Sequence, residues 1–386
     1  MTPEFTDGNK LQLLCNGTDY FPALAQAIDA AQGEIYLQTY IFRDDVTGQA
    51  IAAALARAAQ RGVAVRVLVD GFGCMDHFAG IRQRLLAAGV LVLIYRPKIS
   101  PLTLRRNRLR RMHRKLAVID ARVAFIGGIN IVDDSDTPGD NPPRYDYGVR
   151  IEGPLLAPIT AEVERLWSRV AWANLRRRWR AKRIVAVDAT PRGAQRAALV
   201  VRDNLRHRAD IEAAYLEAIG NARTEIIIAN AYFFPGARFR RALRDATRRG
   251  VRVTLLLQGR VEYFLQHYAS RAFYGPLLDA GVEIYEYQRS FMHAKVAVID
   301  QRWSTVGSSN IDPFSLLLAR EANIVVDDLR FAQELRRNLQ RNMESGAMLV
   351  PKKAWRQQPW MERAVIWASY NFVRWLMGLV GYADRH

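Results

Sequence analysis

The sequence predicts an α/β protein made of two tandem copies of one unit, each a sheet with helices on its faces. Two observations predict it. Four segments recur in the same order along the chain. Within each copy, short apolar runs alternate with helix-forming stretches. Half of the 386 residues are apolar and 24% are charged, the balance of a chain with true cores and not of a disordered basic tail.

Residues 23–31 carry helix formers, and Gly33 precedes the β-rich run Glu34-Ile-Tyr-Leu-Gln-Thr-Tyr-Ile-Phe42. Residues 49–60 are Ala-rich and helical, Gly62 stops them, and residues 63–69 read as a buried strand. The echoes begin at Glu225-Ile-Ile-Ile-Ala-Asn-Ala-Tyr-Phe-Phe234. Arg61-Gly-Val-Ala-Val-Arg-Val-Leu-Val-Asp-Gly71 returns as Arg249-Gly-Val-Arg-Val-Thr-Leu-Leu-Leu-Gln-Gly259, and Ala88-Gly-Val90 as Ala280-Gly-Val282. Met112-His-Arg-Lys-Leu-Ala-Val-Ile-Asp120 returns as Met292-His-Ala-Lys-Val-Ala-Val-Ile-Asp300. The expected layout is a first lobe over 1–183, a connector over 184–197 where Asp188, Pro191 and Gly193 interrupt the pattern, a second lobe over 198–350, and a basic-aromatic segment over 351–386.

The offset between copies is 192 at Gly89/Gly281 but 180 at His113/His293, so the first copy carries about a dozen extra residues within 94–111. That stretch holds Arg96, Lys98, Arg105, Arg106, Arg108, Arg110 and Arg111 and runs directly into His113. It reads either as a solvated loop or as an anion-binding rim beside the site.

Lys and Arg number 56 against 38 Asp and Glu, a formal charge of +18 that calls for an anionic partner: nucleic acid, an anionic membrane surface or an acidic substrate. Cys15 and Cys74 cannot make a disulfide framework and lack zinc-site spacing. The N-terminal residues lack the pattern of a secretory leader. No uncharged apolar run of 18 residues is present, and the nearest candidate, 364–383, has Arg374 at its middle. The acidic loop from Asp133 to Asp140 has Pro and Gly and no ligand spacing, so it reads as a solvated loop and not a metal site.

The chemistry lies in a doubled motif: His113-x-Lys115-(x)4-Asp120-(x)6-Gly127-Gly128-x-Asn130 and His293-x-Lys295-(x)4-Asp300-(x)6-Gly307-Ser308-x-Asn310. Leu-Ala-Val-Ile and Val-Ala-Val-Ile between Lys and Asp are strand formers. Positions two apart on a strand face one side, so each His and Lys project together. An imidazole can attack phosphorus, and a second can protonate the leaving alkoxide and later deprotonate the acceptor. Lys115 and Lys295 supply positive charge to the phosphoryl oxygens, and Asn130, Ser308 and Asn310 supply donors. One His-Lys pair per copy, meeting between the copies, makes one site with no metal ligand set and no cofactor.

The doubled motif resembles that of the phospholipase D superfamily, over nearly the whole chain. Within it, Ala229-Asn-Ala-Tyr-Phe-Phe-Pro235, Leu255-Leu-Leu-Gln-Gly259, Thr305-Val-Gly-Ser-Ser-Asn-Ile-Asp-Pro-Phe-Ser315 and Arg320-Glu-Ala-Asn323 look most like the bacterial cardiolipin synthases of the short type without N-terminal transmembrane helices. The resemblance implies two tandem phospholipase D-like α/β lobes, each a mixed sheet flanked by helices, forming a pseudo-twofold pseudo-dimer, and transfer of a phosphatidyl group from phosphatidylglycerol to a second glycerophospholipid, phosphatidylethanolamine among the candidate acceptors, with release of glycerol. It also implies His113 as nucleophile and His293 as general acid, local ion pairing for Asp120 and Asp300, and an acidic residue about 25 to 35 positions downstream to orient each His, a placement that Asp146 and Glu321 match. The departure at Gly128, where the second copy has Ser308, leaves the first copy without a hydroxyl. A hydrolase or a nucleic-acid phosphodiesterase of the same superfamily is the competing reading. Positive charge alone suits the latter, but no nucleic-acid motif accompanies it.

Such a substrate lives in a bilayer, so the expected partner is a membrane surface, with the protein peripheral on the cytoplasmic face of the bacterial inner membrane. Taken as a helix at about 100° per residue, residues 360–381 place Met361, Val365, Ala368, Phe372, Leu376 and Leu379 on one arc, with Arg363, Tyr370 and Arg374 opposite. Trp360 starts this helix, and Trp367 and Trp375 flank the arc as interfacial anchors. The competing reading is a helix docked on the protein's own core.

Overall fold

A computed structural model describes residues 3–97, 110–135, 137, 142–181, 183–203, 206–312 and 319–379 of the protein. The first copy supplies β1 (Thr6–Cys15), β2 (Glu34–Thr39), β3 (Ala64–Asp70), β4 (Leu91–Tyr95), β5 (Lys115–Ile119), β6 (Val123–Gly127) and β7 (Tyr147–Glu152). The second supplies β8 (Gln195–Arg202), β9 (Glu225–Asn230), β10 (Arg252–Gln258), β11 (Glu283–Tyr287), β12 (Lys295–Ile299), β13 (Trp303–Gly307) and β14 (Glu321–Asp327), followed by β15 (Ala347–Leu349). The order across the sheet is β15-β11-β10-β9-β12-β13-β14-β8-β1-β7-β6-β5-β2-β3-β4. Read outward from the central β8·β1 pair, the two halves run through equivalent strands as far as β11 and β4, and β15 extends the second half at its edge. The duplication is therefore a structural one.

Each half is mixed. Strands β2, β3 and β4 run parallel, joined by helices Val46–Gln60 and Ala79–Ala87, while β5, β6 and β7 pair antiparallel. All six residues of β2 and all six of β9 are buried. Layers cover both faces, so burial does not alternate along these strands, and even the polar Glu34, Gln38, Thr39, Glu225 and Asn230 are enclosed. Helix Leu156–Ala173 covers one face of the first half, with Trp167 fully buried beneath it, and helix Leu329–Gly346 does the same for the second.

The connector expected over 184–197 overlaps the first residues of β8, because Gln195, Arg196 and Ala197 already pair with β14 or β1. Trp172, in the last turn of helix Leu156–Ala173, is exposed, whereas Trp179 packs against the core and its carbonyl accepts the Trp167 indole N–H.

The C-terminal helix Trp360–Leu379 docks on the second lobe, and it does so by a flank other than the expected apolar arc. Ile366, Ser369, Val373 and Met377 are buried against that lobe, Tyr370 stacks on Phe234, and Glu362 pairs with Arg271. Met361, Val365 and Phe372 of the expected arc remain exposed, as do Trp360, Trp367 and Trp375. The reason is the breadth of the apolar surface, which wraps far enough to serve two partners. No helix among the described residues is long and apolar enough to cross a membrane.

Candidate active site

Strands β5 and β12 lie at equivalent places in the two halves, and each begins at the lysine of its motif. The two residues before each strand run into the seam between the lobes. There the backbone is pinned across the seam: Met112 bridges Arg320 and Met292 bridges Tyr145, both in parallel sense. His113 N donates to the Arg320 carbonyl at 2.9 Å, and His293 N donates to the Tyr145 carbonyl at 2.8 Å.

This pinning decides which carboxylate each histidine meets. Glu321 follows Arg320 and Asp146 follows Tyr145, so each acid is delivered to the histidine of the opposite lobe. His113 Nδ1 lies 3.0 and 3.2 Å from the two oxygens of Glu321, and His293 Nδ1 lies 2.7 Å from Asp146 Oδ2. A carboxylate only accepts, so each Nδ1 carries the proton and each Nε2 presents its lone pair to the cleft. Downstream spacing located both acids but implied pairing within a lobe; the hydrogen bonds cross between lobes.

Gly128 and Ser308 now have a physical account. Ser308 Oγ donates to Glu321 Oε2 at 2.5 Å and buttresses the longer acid. A Cβ at Gly128 would come within 2.3 Å of the Asp146 carboxylate. The shorter Asp needs the space that the serine fills in the other copy. Gly128→Ser should push Asp146 off His293 and cut turnover by about 10²-fold, a loss of the size seen when groups that orient a functional histidine are removed. Ser308→Gly, which only opens space, should cost less. Equal losses in the two variants, measured as kcat, would contradict this account.

Lys115 and Lys295 are fully buried, and each Nζ donates to the carbonyl of its own motif histidine. Burial and the neighbouring Lys295 cation pull Lys115 down to about 7. Burial also brings Lys295 down to about 8, against the pull of Asp146 and Glu321. Burial lowers His113, with Glu321 opposing it. It lowers His293 further, helped by Lys295 and Lys115. Asp146 is raised to about 6 by burial. The site thus holds neutral imidazoles beside two buried lysines whose ammonium form Asp146 and Glu321 only partly restore. A phosphodiester anion in the cleft adds negative charge that favours that form further. A bound phosphate analogue such as vanadate should therefore weaken as pH rises through about 7 to 8, where the free site loses lysine protons. A flat affinity from pH 6 to 9 would remove this electrostatic reading.

The motif residues open onto a cleft of about 630 Å³ lined from both lobes, His113 and His293 together with Asn130, Asn310, Asp146 and Arg111. Asn130 Oδ1 accepts from Ile41 N at 3.2 Å, which turns its amide group. Asn310 lines the same cleft, and its buried Oδ1 has no hydrogen-bond partner among the described residues. Ser308 is fully buried and engages Glu321, so it supports the histidine and does not line the cleft.

Asp120 and Asp300 sit at the far ends of β5 and β12, away from the cleft. The ion pairing expected of them is replaced by backbone capping. Asp120 accepts from the N–H groups of Gln32, Gly33 and Glu34, and Asp300 from those of Arg223, Thr224 and Glu225. Each also opens a tight hairpin with positive φ at two successive residues, 50° and 48° at Asp120 and Ala121, 50° and 56° at Asp300 and Gln301, as a type I′ turn requires. They hold the entry to β2 and β9, and so the strands on which the motif is laid.

Several further residues line the cleft. Tyr40 packs edge-on against the His113 ring, 4.8 Å between centroids. Glu262 bridges Arg144 of the other lobe at 2.9 Å and accepts from Tyr232 Oη at 2.9 Å. Burial works against its charge, but Arg144 and His293 outweigh that and hold it below the usual carboxylate range. The aromatic run Tyr232-Phe233-Phe234 reads from the sequence as a groove lining or a buried strand end, and Tyr232 lines the cleft; Glu262 and Arg144 lie in segments that differ between copies. Phe233 and Phe234 are core residues. Of the basic insertion, Arg111 reaches the cleft and sits 5.3 Å over the Phe72 ring. Residues 98–109, with Lys98, Arg105, Arg106 and Arg108, lie outside the described residues, as do Asp136 and Asp140 of the acidic loop.

Two oriented imidazoles, two buried lysines and a cleft shared by duplicated lobes define an enzyme of the phospholipase D superfamily. A family model described as cardiolipin synthase, phospholipase D-like domain, matches residues 24–167 and 215–343. Cardiolipin synthase B of Escherichia coli (strain K12) is 42% identical over 387 aligned positions, covering 100% of this chain and 93% of that protein. The major cardiolipin synthase of Bacillus subtilis (strain 168) is 31% identical, covering 86% and 68%. The chain belongs to the cardiolipin synthase family. Among solved structures, a phosphatidylserine synthase from Haemophilus influenzae shares the fold, with a TM-score of 0.70 at 13% identity, covering 97% of this chain and 95% of that one.

Proposed function

We propose that the protein is a cardiolipin synthase-like phosphatidyltransferase working through a phosphatidyl-histidine. The observation that carries this is the pair of cross-lobe His–carboxylate bonds facing one cleft, in a chain 42% identical over its whole length to a cardiolipin synthase. His113 Nε2 attacks the phosphorus of phosphatidylglycerol. A P–N bond forms, the P–O bond to glycerol breaks, and His293, which takes up a solvent proton on Nε2 when the phosphodiester anion binds, gives that proton to the departing alkoxide. A hydroxyl of the second glycerophospholipid then passes its proton to His293 and attacks phosphorus, breaking the P–N bond and restoring both histidines. His293 takes the acid role in this reading because Asp146 holds its Nδ1 and Glu262 favours its protonated form; burial and the two lysines oppose that form, and the bound phosphodiester offsets the lysine part. Lys115, Lys295, Asn130 and Asn310 take the charge of the transferring group.

The deciding experiment incubates the full chain with labelled phosphatidylglycerol in vesicles and follows cardiolipin and glycerol by mass spectrometry, beside a single-stranded DNA cleavage assay. Equimolar cardiolipin and glycerol are expected, with no DNA cleavage. Phosphatidic acid as the main product would mean that water is the acceptor.

For access to lipid, we infer that the exposed arc of helix Trp360–Leu379 faces the membrane, with the protein peripheral on the cytoplasmic face of the inner membrane; the exposed aromatics of that arc support this reading. Phe372 and Trp375, tilted against each other with centroids 5.8 Å apart, are exposed on it. Removing the whole segment is a poor test, because burial of Ile366, Val373 and Met377 stabilises the second lobe by roughly 1.5–3 kcal/mol each. Phe372→Ser with Trp375→Ser spares those contacts. This double variant should lose most binding to phosphatidylglycerol vesicles in a sedimentation assay; undiminished binding would refute the membrane-facing role.

A further inference from the structure

On the second lobe, the flank of helix Trp360–Leu379 borders another open cavity, about 580 Å³, that shares no lining residue with the catalytic cleft. Its walls include Arg240, Phe273, Trp355, Arg363, Trp367 and Tyr370. Two further arginines line it but are already neutralised, Arg271 by Glu286 and Glu362, and Arg356 by Asp279. Arg240 and Arg363 are not. Among the described residues neither has a carboxylate within 4.0 Å, and the same holds for the adjacent Arg244 and Arg374.

Arg240 is the informative one. It is half-buried, its Nη1 donates to the Pro235 carbonyl, and its guanidinium lies 4.8 Å over the Phe273 ring. Burial lowers its pKa, and the cations of Arg244 and Arg374 lower it further. A cation held in place by an aromatic face and a carbonyl, crowded by like charges and without an anion, is a site arranged for one. The remaining wall is aromatic, from Trp355, Trp367 and Tyr370, and the cavity opens beside the exposed Trp367, Phe372 and Trp375. Cations flanked by aromatic and apolar groups match a ligand with a phosphodiester head and acyl chains better than a free anion.

We propose that this cavity is a second lipid site, which takes the phosphodiester headgroup of an anionic phospholipid between Arg240 and Arg363 while the acyl chains remain in the bilayer against the exposed arc of the helix. It deepens the membrane-facing reading above and rests on it, and it takes no part in the chemistry. A membrane patch rich in anionic lipid would thereby be gripped by one headgroup while others enter the cleft.

The test uses full-length protein with His113→Ala, so that nothing turns over, and calorimetric titration with monomeric dihexanoyl phosphatidylglycerol. Two binding events are expected, one in the cleft and one in the cavity. Arg240→Gln with Arg363→Gln should weaken one of them about thirtyfold, the loss expected for two cations each contributing a few-fold at an anionic surface. Arg374→Glu, an exposed change that leaves the helix docked, should weaken the same event and guards against misfolding. In the His113 background, the arginine variants turn over nothing; with His113 restored they should retain transfer on the monomeric lipid. Dihexanoyl phosphatidylcholine should not fill the cavity, and inorganic phosphate should fill it far more weakly. A single event, two events indifferent to all three arginines, or equal binding of inorganic phosphate would each overturn the proposal. Vesicle binding that survives Phe372→Ser with Trp375→Ser, alongside an arginine-dependent second event, would remove the membrane-facing helix and leave the cavity site standing.

Discussion

His293→Ala should release one equivalent of nitrophenolate from a p-nitrophenyl phosphodiester and then stop, whereas His113→Ala should release none. Both variants should lose turnover of phosphatidylglycerol by about 10⁴-fold or more, as expected when a member of a concerted catalytic unit is removed. The two defects differ in kind. Attack on phosphorus needs the His113 lone pair whatever the leaving group is. Protonation by His293 matters for the strongly basic alkoxide of glycerol and little for a nitrophenolate, which departs unaided. Without His293 no base remains to activate the acceptor, so the adduct should persist on His113 and be found there by peptide mass spectrometry. A burst in His113→Ala in place of His293→Ala would exchange the two roles. Full turnover by either variant would end the two-histidine mechanism.

The duplication made most of this architecture legible from sequence. A motif that returns at a fixed place in two copies specifies two equivalent strands, and the strand alternation in Lys-Leu-Ala-Val-Ile places His113 with Lys115 on one side. Arg114, on the other side, is buried against Glu162 of helix Leu156–Ala173, as that alternation requires. What the spacing could not carry was anything that crosses the seam. The exchange of Glu321 and Asp146 between histidines follows from backbone bridges at Met112 and Met292, and those depend on how the lobes meet. The Arg144–Glu262 pair is hidden for the same reason. The assignment of Asp120 and Asp300 to ion pairs missed a local alternative: a carboxylate at a hairpin entry can satisfy three backbone N–H groups at once. The C-terminal helix was legible as amphipathic, but its pattern does not say which of two apolar flanks the second lobe covers.

Glu321→Gln should disable His113, and Asp146→Asn should disable His293, each acting across the seam. The carboxylate fixes the tautomer that leaves Nε2 free and stabilises the imidazolium when it forms. An amide of the same shape can present its NH₂ to Nδ1 and favour the wrong tautomer, a change that costs about 10⁴-fold in the serine protease template. Losses of about 10²- to 10⁴-fold are therefore expected for both. The nitrophenyl ester separates them: Asp146→Asn should keep the burst, because its lesion lies with the acid, and Glu321→Gln should abolish or slow it, because its lesion lies with the nucleophile. The histidine titrations supply a readout that simple loss of structure would not give. Glu321 opposes the lowering of His113, so Glu321→Gln should move the His113 imidazole resonance to titrate at still lower pH, with a smaller effect on His293. Pairing within each lobe would give the reverse, the His293 resonance responding to Glu321→Gln and the burst surviving it, and that result would refute the crossed arrangement.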